Sequence, residues 1–107
     1  ILNNSDKSKP RKLDVDVSAP GVNFFNFTIN GKYVTFLLNI TEPNFEEINY
    51  IDFSETRLRW KLLCSELKND LCKKKRYFRI GGHNITIEIL DKAGNSNRIE
   101  NIIFNIL

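Results

Sequence analysis

The sequence predicts an all-β sandwich. Three observations carry the prediction. Apolar and polar residues alternate strictly over several short stretches, Gly- and Asn-containing breaks separate those stretches at regular spacing, and room for a helical turn exists only at 45–47 and 66–70. Strand side chains point alternately to opposite faces, so each alternating stretch assigns one face to a core and one to solvent.

Residues 1–11 are polar and aperiodic and read as an N-terminal tail or linker, with the domain expected over 12–107. Residues 12–17 alternate with Leu13, Val15 and Val17 on the buried face until Pro20-Gly21 breaks the run. Strands follow at 22–29, with Phe25, Phe27 and Ile29 on one face, and at 32–41, with Val34, Phe36, Leu38 and Ile40 on one face. Between them stands Asn30-Gly31, two residues that tolerate the positive φ of a type I′ hairpin turn. Glu42-Pro43-Asn44 ends the hairpin, and further strands are predicted at 48–53 and 57–63. The latter sets Leu58, Trp60 and Leu62 on one face and Arg59 and Lys61 on the other. A short strand at 76–80 turns at Gly81-Gly82 into 83–90, where Ile85, Ile87 and Ile89 share a face. After a turn at Asp91-Lys92-Ala93-Gly94-Asn95, residues 99–106 close the sheet with Ile102, Phe104 and Ile106 on one side. Seven or eight short strands in a chain of this length indicate a sandwich.

A chain of 107 residues favours one domain, and 41% hydrophobic with 27% charged residues are globular values. The longest apolar runs, such as 34–38, fall far short of the roughly 20 residues that a membrane helix needs, so no membrane span is expected. The chain begins at Ile1 and contains no Met, as a processed protein or an excised segment would. Its net charge of +3 is modest and mixed in sign. One run, Lys73-Lys74-Lys75-Arg76, reads as a solvated loop, with a patch for acidic glycans or anionic lipid as the alternative. No aromatic residue interleaves with it as a reader of single-stranded nucleic acid requires, so nucleic acid is not an expected partner.

Four Asn-x-Ser/Thr sequons, at Asn3, Asn26, Asn39 and Asn84, are candidate N-glycosylation sites. Asn26, Asn39 and Asn84 fall opposite the apolar faces of their strands, where a glycan is tolerated; the alternative is that Asn simply fills polar strand positions. Cys64 and Cys72 are expected to close one loop, 65–71, as a disulfide formed in an oxidising compartment. A zinc site needs about four ligands, and His83 is the only His, with no further Cys. A reactive thiol needs a base and an electropositive setting, of which only the Lys run is near.

No nucleophile elbow, phosphate loop or metal-ligand spacing is present, so no cofactor, metal site or catalytic residue is expected. His83 follows Gly81-Gly82 and reads as a turn or edge residue. Glu46 and Glu47 are adjacent on an extended chain, which sends them to opposite faces and away from one acid–base pocket. Asp91 reads as an Asx-turn acceptor, with Gly94 and Asn95 taking positive φ. Calcium at a domain end, using Asp14, Asp16, Asp52 or Asp91, is the alternative, but no Asp-rich loop supplies the six or more oxygens that it takes.

The stretch Phe78-Arg79-Ile80-Gly81-Gly82-His83-Asn84-Ile85-Thr86-Ile87, the Asp91–Asn95 turn and the final Ile102-Ile103-Phe104-Asn105-Ile106 resemble the end of bacterial and archaeal immunoglobulin-like domains. Those domains show a Gly-x-His/Tyr-x-Ile/Val-x-Val strand, an Asp-x-Ala-Gly-Asn turn and a last strand of Val-x-Phe-x-Ile type. Phe36-Leu37-Leu38-Asn39-Ile40-Thr41-Glu42-Pro43-Asn44 and the Trp60…Cys64…Cys72 arrangement are similar to modules of archaeal surface proteins. The resemblance covers residues 12–107 and implies an immunoglobulin-like β-sandwich of seven to eight antiparallel strands in a cell-surface protein, with no catalytic motif to carry over. The cysteines depart from antibody domains, being too close in sequence to be expected to bridge two sheets, and Trp60 is compatible with a core position.

Three functions compete. The first is a non-catalytic extracellular module of surface structure or adhesion. The second is a subunit of an extracellular filament or array, self-assembled by donation of residues 1–17 as a strand to a neighbour's open edge. The third is a carbohydrate-binding accessory module that uses Phe24 and Tyr33, both expected to face outward on adjacent strands.

Overall fold

The computed structural model describes residues 20–107. The tail, the strand expected at 12–17, the sequon at Asn3, and Asp14 and Asp16 lie outside the described residues. Seven strands follow in order: β1 (Gly21–Asn30), β2 (Tyr33–Thr41), β3 (Phe45–Asp52), β4 (Lys61–Cys64), β5 (Leu71–Tyr77), β6 (Gly81–Asp91) and β7 (Ser96–Ile106). They form two antiparallel sheets, β1-β2-β5 and β4-β3-β6-β7. This is the expected antiparallel β-sandwich. Its first, second and fifth strands face its third, sixth and seventh, and β4 sits beside β3 where the constant-type fold puts a strand beside the first sheet.

The inner faces supply the core. Val34, Phe36, Leu38 and Ile40 of β2 meet Ile48 and Tyr50 of β3, Ile85, Ile87 and Ile89 of β6, and Ile102, Phe104 and Ile106 of β7. In β7 a bulge opposite Ile85–Ile87, with Asn101 at φ 60°, resets the alternation so that Ile99, three residues before Ile102, also packs against the core.

Several elements differ from the sequence expectation, each for a local reason. The first hairpin turns at Gly31-Lys32, closed by the pair Asn30 and Tyr33. Only its first central residue has positive φ, Gly31 at 64°, which is the type II′ arrangement with Gly leading. Either turn centre keeps the two apolar faces together, so periodicity cannot separate them. The turn after β6 is the expected Asx turn: Asp91 Oδ1 accepts the N–H groups of Ala93 and Asn95, each at 2.9 Å. Gly94 alone takes positive φ there, 92°. No helical turn forms at 45–47, which begins β3, or at 66–70. Within 66–70, Asn69 and Asp70 both have positive φ, and Lys68 and Leu71 exchange two 3.0 Å backbone bonds across them as a type I′ turn does.

The strand expected at 57–63 is shorter and of opposite parity. β4 starts at Lys61, Leu63 is buried, and Leu58, Trp60 and Leu62 are exposed. The register slips between Ile48 and Asn49, pairing Ile48 with Cys64 and Asn49 with Leu62. Cys64 takes the inward position because its sulfur bonds Cys72. The strand expected at 76–80 runs instead from Leu71 to Tyr77, so the basic run is strand and not loop. Phe78, just beyond it, is buried in the core.

Cys64 and Cys72 form the expected disulfide, with Cα atoms 6.1 Å apart. It does more than close a loop. Cys64 ends β4 in the four-stranded sheet and Cys72 lies in β5 of the three-stranded sheet, so the bond links the two sheets, contrary to the sequence expectation. Closeness in sequence is no bar, because the chain changes sheets between these strands. The double substitution Cys64→Ser/Cys72→Ser is expected to cost about 2–3 kcal/mol of stability by loop-entropy reasoning. Urea unfolding with and without reductant measures it: the parent should lose this amount on reduction and the variant should not respond.

Candidate functional site

Asp52, Ser54 and His83 form a polar cluster at one end of the sandwich. Asp52 is the last residue of β3, and His83 is the first inward side chain of β6; they are 2% and 5% exposed. Sequence reading put His83 at a turn or edge. It is core instead, because β6 begins at Gly81 and pairs His83 with Phe104, whose ring stacks on the imidazole at 5.3 Å.

His83 Nδ1 meets Asp52 Oδ2 at 2.6 Å, and Nε2 meets the Arg79 carbonyl at 2.8 Å. A carbonyl only accepts, and so does an ionised carboxylate, so the matching state of the ring is the imidazolium, donating from both nitrogens. Asp52 Oδ1 accepts the Ser54 hydroxyl at 2.7 Å and the Ser54 N–H at 2.9 Å. Burial pushes the Asp52 carboxyl up, but the two Ser54 bonds, together with the bond and charge of His83, outweigh it and hold it below its ordinary value.

Ser, His and Asp together invite comparison with a hydrolytic triad, and the geometry differs. In a triad the nucleophile bonds one ring nitrogen and the carboxylate the other. Here Ser54 Oγ, 3.1 Å from Nδ1, and Asp52 both address Nδ1, while Nε2 is held by a backbone carbonyl. The Ser54 proton points to Asp52. This arrangement is suited to holding backbone: it anchors the 53–60 loop through Ser54 and the 78–80 connection through Arg79.

Those two segments carry cations. A cleft of about 250 Å³ between them is lined by Glu55, Thr56, Arg57, Arg59, Lys61 and Arg79. It shares Glu55, Lys61 and Arg79 with a second cleft of about 170 Å³, which reaches inward past Tyr77 and Tyr50 to His83. Lys61 Nζ bonds Glu55 at 2.8 Å and lies 5.9 Å from the centre of the Tyr50 ring. Sequence reading gave this site no weight, because its residues come from three separate segments and share no motif.

The other sequence-predicted residues are dispersed. Asn26 and Asn39 both lie on the outer face of the three-stranded sheet, on adjacent strands, with Asn26 opposite Leu37 and Asn39 opposite Phe24. Asn23 Nδ2 donates to Asn39 Oδ1 at 3.1 Å and to Thr41 Oγ1 at 2.6 Å, tying together the two polar residues of that sequon. Asn84 lies on the outer face of the other sheet, which is less open than expected: Thr86 and its neighbour Ile51 are buried, and Asn84 Oδ1 is buried without a hydrogen-bond partner. Phe24 and Tyr33 are half exposed as expected, but stand at opposite ends of the hairpin. Tyr33 pairs instead with Tyr77, edge to face at 5.7 Å, and Lys75 Nζ sits 5.4 Å from the centre of the Tyr33 ring. Glu46 is exposed, while Glu47 accepts a bond from Asn49 at 2.7 Å, so the two do not converge. Among the described residues no group of three or more His, Cys, Asp and Glu is placed to hold a metal ion.

The chain matches no protein-family model, no curated protein and no solved structure.

Proposed function

We propose that the chain is a non-catalytic extracellular immunoglobulin-like module that serves surface structure or adhesion. The observation that carries this reading is the buried Cys64–Cys72 disulfide joining the two sheets, since such bonds form and persist outside the reducing cytosol. The Asn26 and Asn39 sequons, sharing one outer face, add support, as does a polar cluster shaped to position loops. Two measurements on native cells test the reading. Digestion after alkylation without reduction should release a linked peptide pair containing Cys64 and Cys72, and a membrane-impermeant amine reagent on intact cells should label the lysines. Free thiols at both positions in an unlabelled protein would sink it.

A second reading, a filament or array subunit joined by strand donation, draws on β1. Among the described residues β1 is an edge strand. Its core-facing Phe25 and Phe27 are only half buried, and Ile29 is 44% exposed. A strand added from a neighbour would cover them. Deleting residues 1–11 and finding assembly unchanged removes this reading.

A further inference from the structure

The sandwich has no need of its cationic cleft. Arg57, Arg59 and Arg79 are exposed, and among the described residues none is in salt-bridge range of a carboxylate. Lys61 is paired with Glu55, the one carboxylate in the lining. Gathering four cations against one anion works against the folded state. Yet the Asp52–Ser54–His83 cluster anchors both segments that bring them together. An occupant that relieves the repulsion is an anion, and planar guanidinium forks match a carboxylate bidentately.

The surroundings narrow the class. Tyr77, 58% exposed, lines the inner cleft, and an exposed tyrosine ring suits the C–H face of a pyranose. Thr56 and Glu55 supply hydrogen-bond partners for hydroxyl groups. An extended acidic peptide finds less here. It would bind as an added strand, and Arg76 already occupies the Leu62 and Leu63 carbonyls of edge strand β4, at 3.3 and 3.4 Å. A nucleic-acid strand wants cations that track a backbone, whereas these line a single cleft.

We infer that the cleft binds a carboxylate-bearing sugar, a uronic acid residue of an acidic polysaccharide, with Arg57, Arg59 and Arg79 around the carboxylate and Tyr77 against the ring. The inference rests on the surface-module reading, which brings the domain into contact with extracellular glycans.

Calorimetric titration of the full chain with galacturonate oligosaccharides tests it, with dextran sulfate fragments, which carry sulfate but no carboxylate, polyglutamate and single-stranded DNA as parallel probes. Galacturonate should bind, and Arg57→Ser/Arg79→Ser should weaken binding by about tenfold or more, since each tenfold needs only the loss of one good charge-assisted contact. Tyr77→Ser should also weaken binding, and Lys73→Ser/Lys75→Ser, which strips the basic run on β5, should leave it unchanged. Thermal unfolding of each variant checks that the fold is intact. The inference is overturned if galacturonate does not bind at millimolar concentration, if the Lys73/Lys75 variant loses binding in place of the arginine variant, or if any other probe binds as tightly. Failure of binding leaves the surface-module reading standing. Reduced cysteines in an unlabelled protein defeat that reading whatever the titration returns.

Discussion

Replacing His83 with Ala is expected to destabilise the domain by about 3–5 kcal/mol, the range for breaking a buried charge pair by removing one partner. Among the described residues the His83 ring is the one basic partner within bonding distance of Asp52, a carboxylate 2% exposed, and its loss leaves that charge held by Ser54 alone. It also releases the Arg79 carbonyl and the ring stacked on Phe104. Asp52→Asn should cost a similar amount from the other side. Replacing both residues with apolar side chains of like volume, Asp52→Leu/His83→Phe, should cost less than the sum of the single changes, because no charge is then stranded. Urea unfolding of the parent, the two singles and the double closes the cycle.

Acid sensitivity gives an independent reading of the same pair. The Asp52 carboxyl is lowered in the folded state, so folded protein binds its proton less readily than unfolded protein does. Its contribution to stability is therefore full above the unfolded value of about 3.9 and lost as pH falls through the lower folded value. Asp52→Asn removes this component. The parent should lose stability steeply at the acid end, and the variant, weaker at neutral pH, should show a flatter acid limb. Equal acid slopes would mean that Asp52 is not held ionised by its partners.

What was legible in the sequence was whatever repeats along a strand. Val34, Phe36, Leu38 and Ile40, and again Ile85, Ile87 and Ile89, alternate without interruption, and the structure buries them all. The Asp91 turn was legible because one side chain serves two nearby backbone groups. Positions set by long-range pairing were not. Leu58, Trp60 and Leu62 alternate as well as any core strand does, but the register slip opposite Ile48 and Asn49 inserts Leu63 between the paired Leu62 and Cys64, so Cys64 faces inward while Leu62 faces out. The disulfide itself was foreseen, while its bridging of the sheets was not, since sheet membership is a property of pairing across the fold. The candidate site was least legible. His83 looked like turn punctuation after two glycines, and its partners lie 31 residues upstream at Asp52 and 29 upstream at Ser54.

The contrast between Phe36 and Trp60 tests the reversed parity directly. Phe36 is fully buried on β2, with its ring centre 6.1 Å from Phe78, 6.3 Å from Tyr50 and 6.4 Å from Phe27. Phe36→Ala should therefore lose both the transfer energy of the ring and the packing around the void, about 3–5 kcal/mol. Trp60 is the larger side chain and the only Trp, so a reading from residue size alone makes it the greater loss. The structure puts it 39% exposed on the outer side of the four-stranded sheet, with the Arg98 guanidinium 5.4 Å above its ring. An exposed cation–π contact contributes about 0.5–1 kcal/mol, and the partly covered ring adds a modest burial term, so Trp60→Ala should cost well under half of the Phe36 change. Chemical unfolding of the two variants ranks them. If Trp60→Ala proves the costlier, the 57–63 segment packs inward, Leu58 and Leu62 go with it, and the arginines opposite them no longer line the cleft.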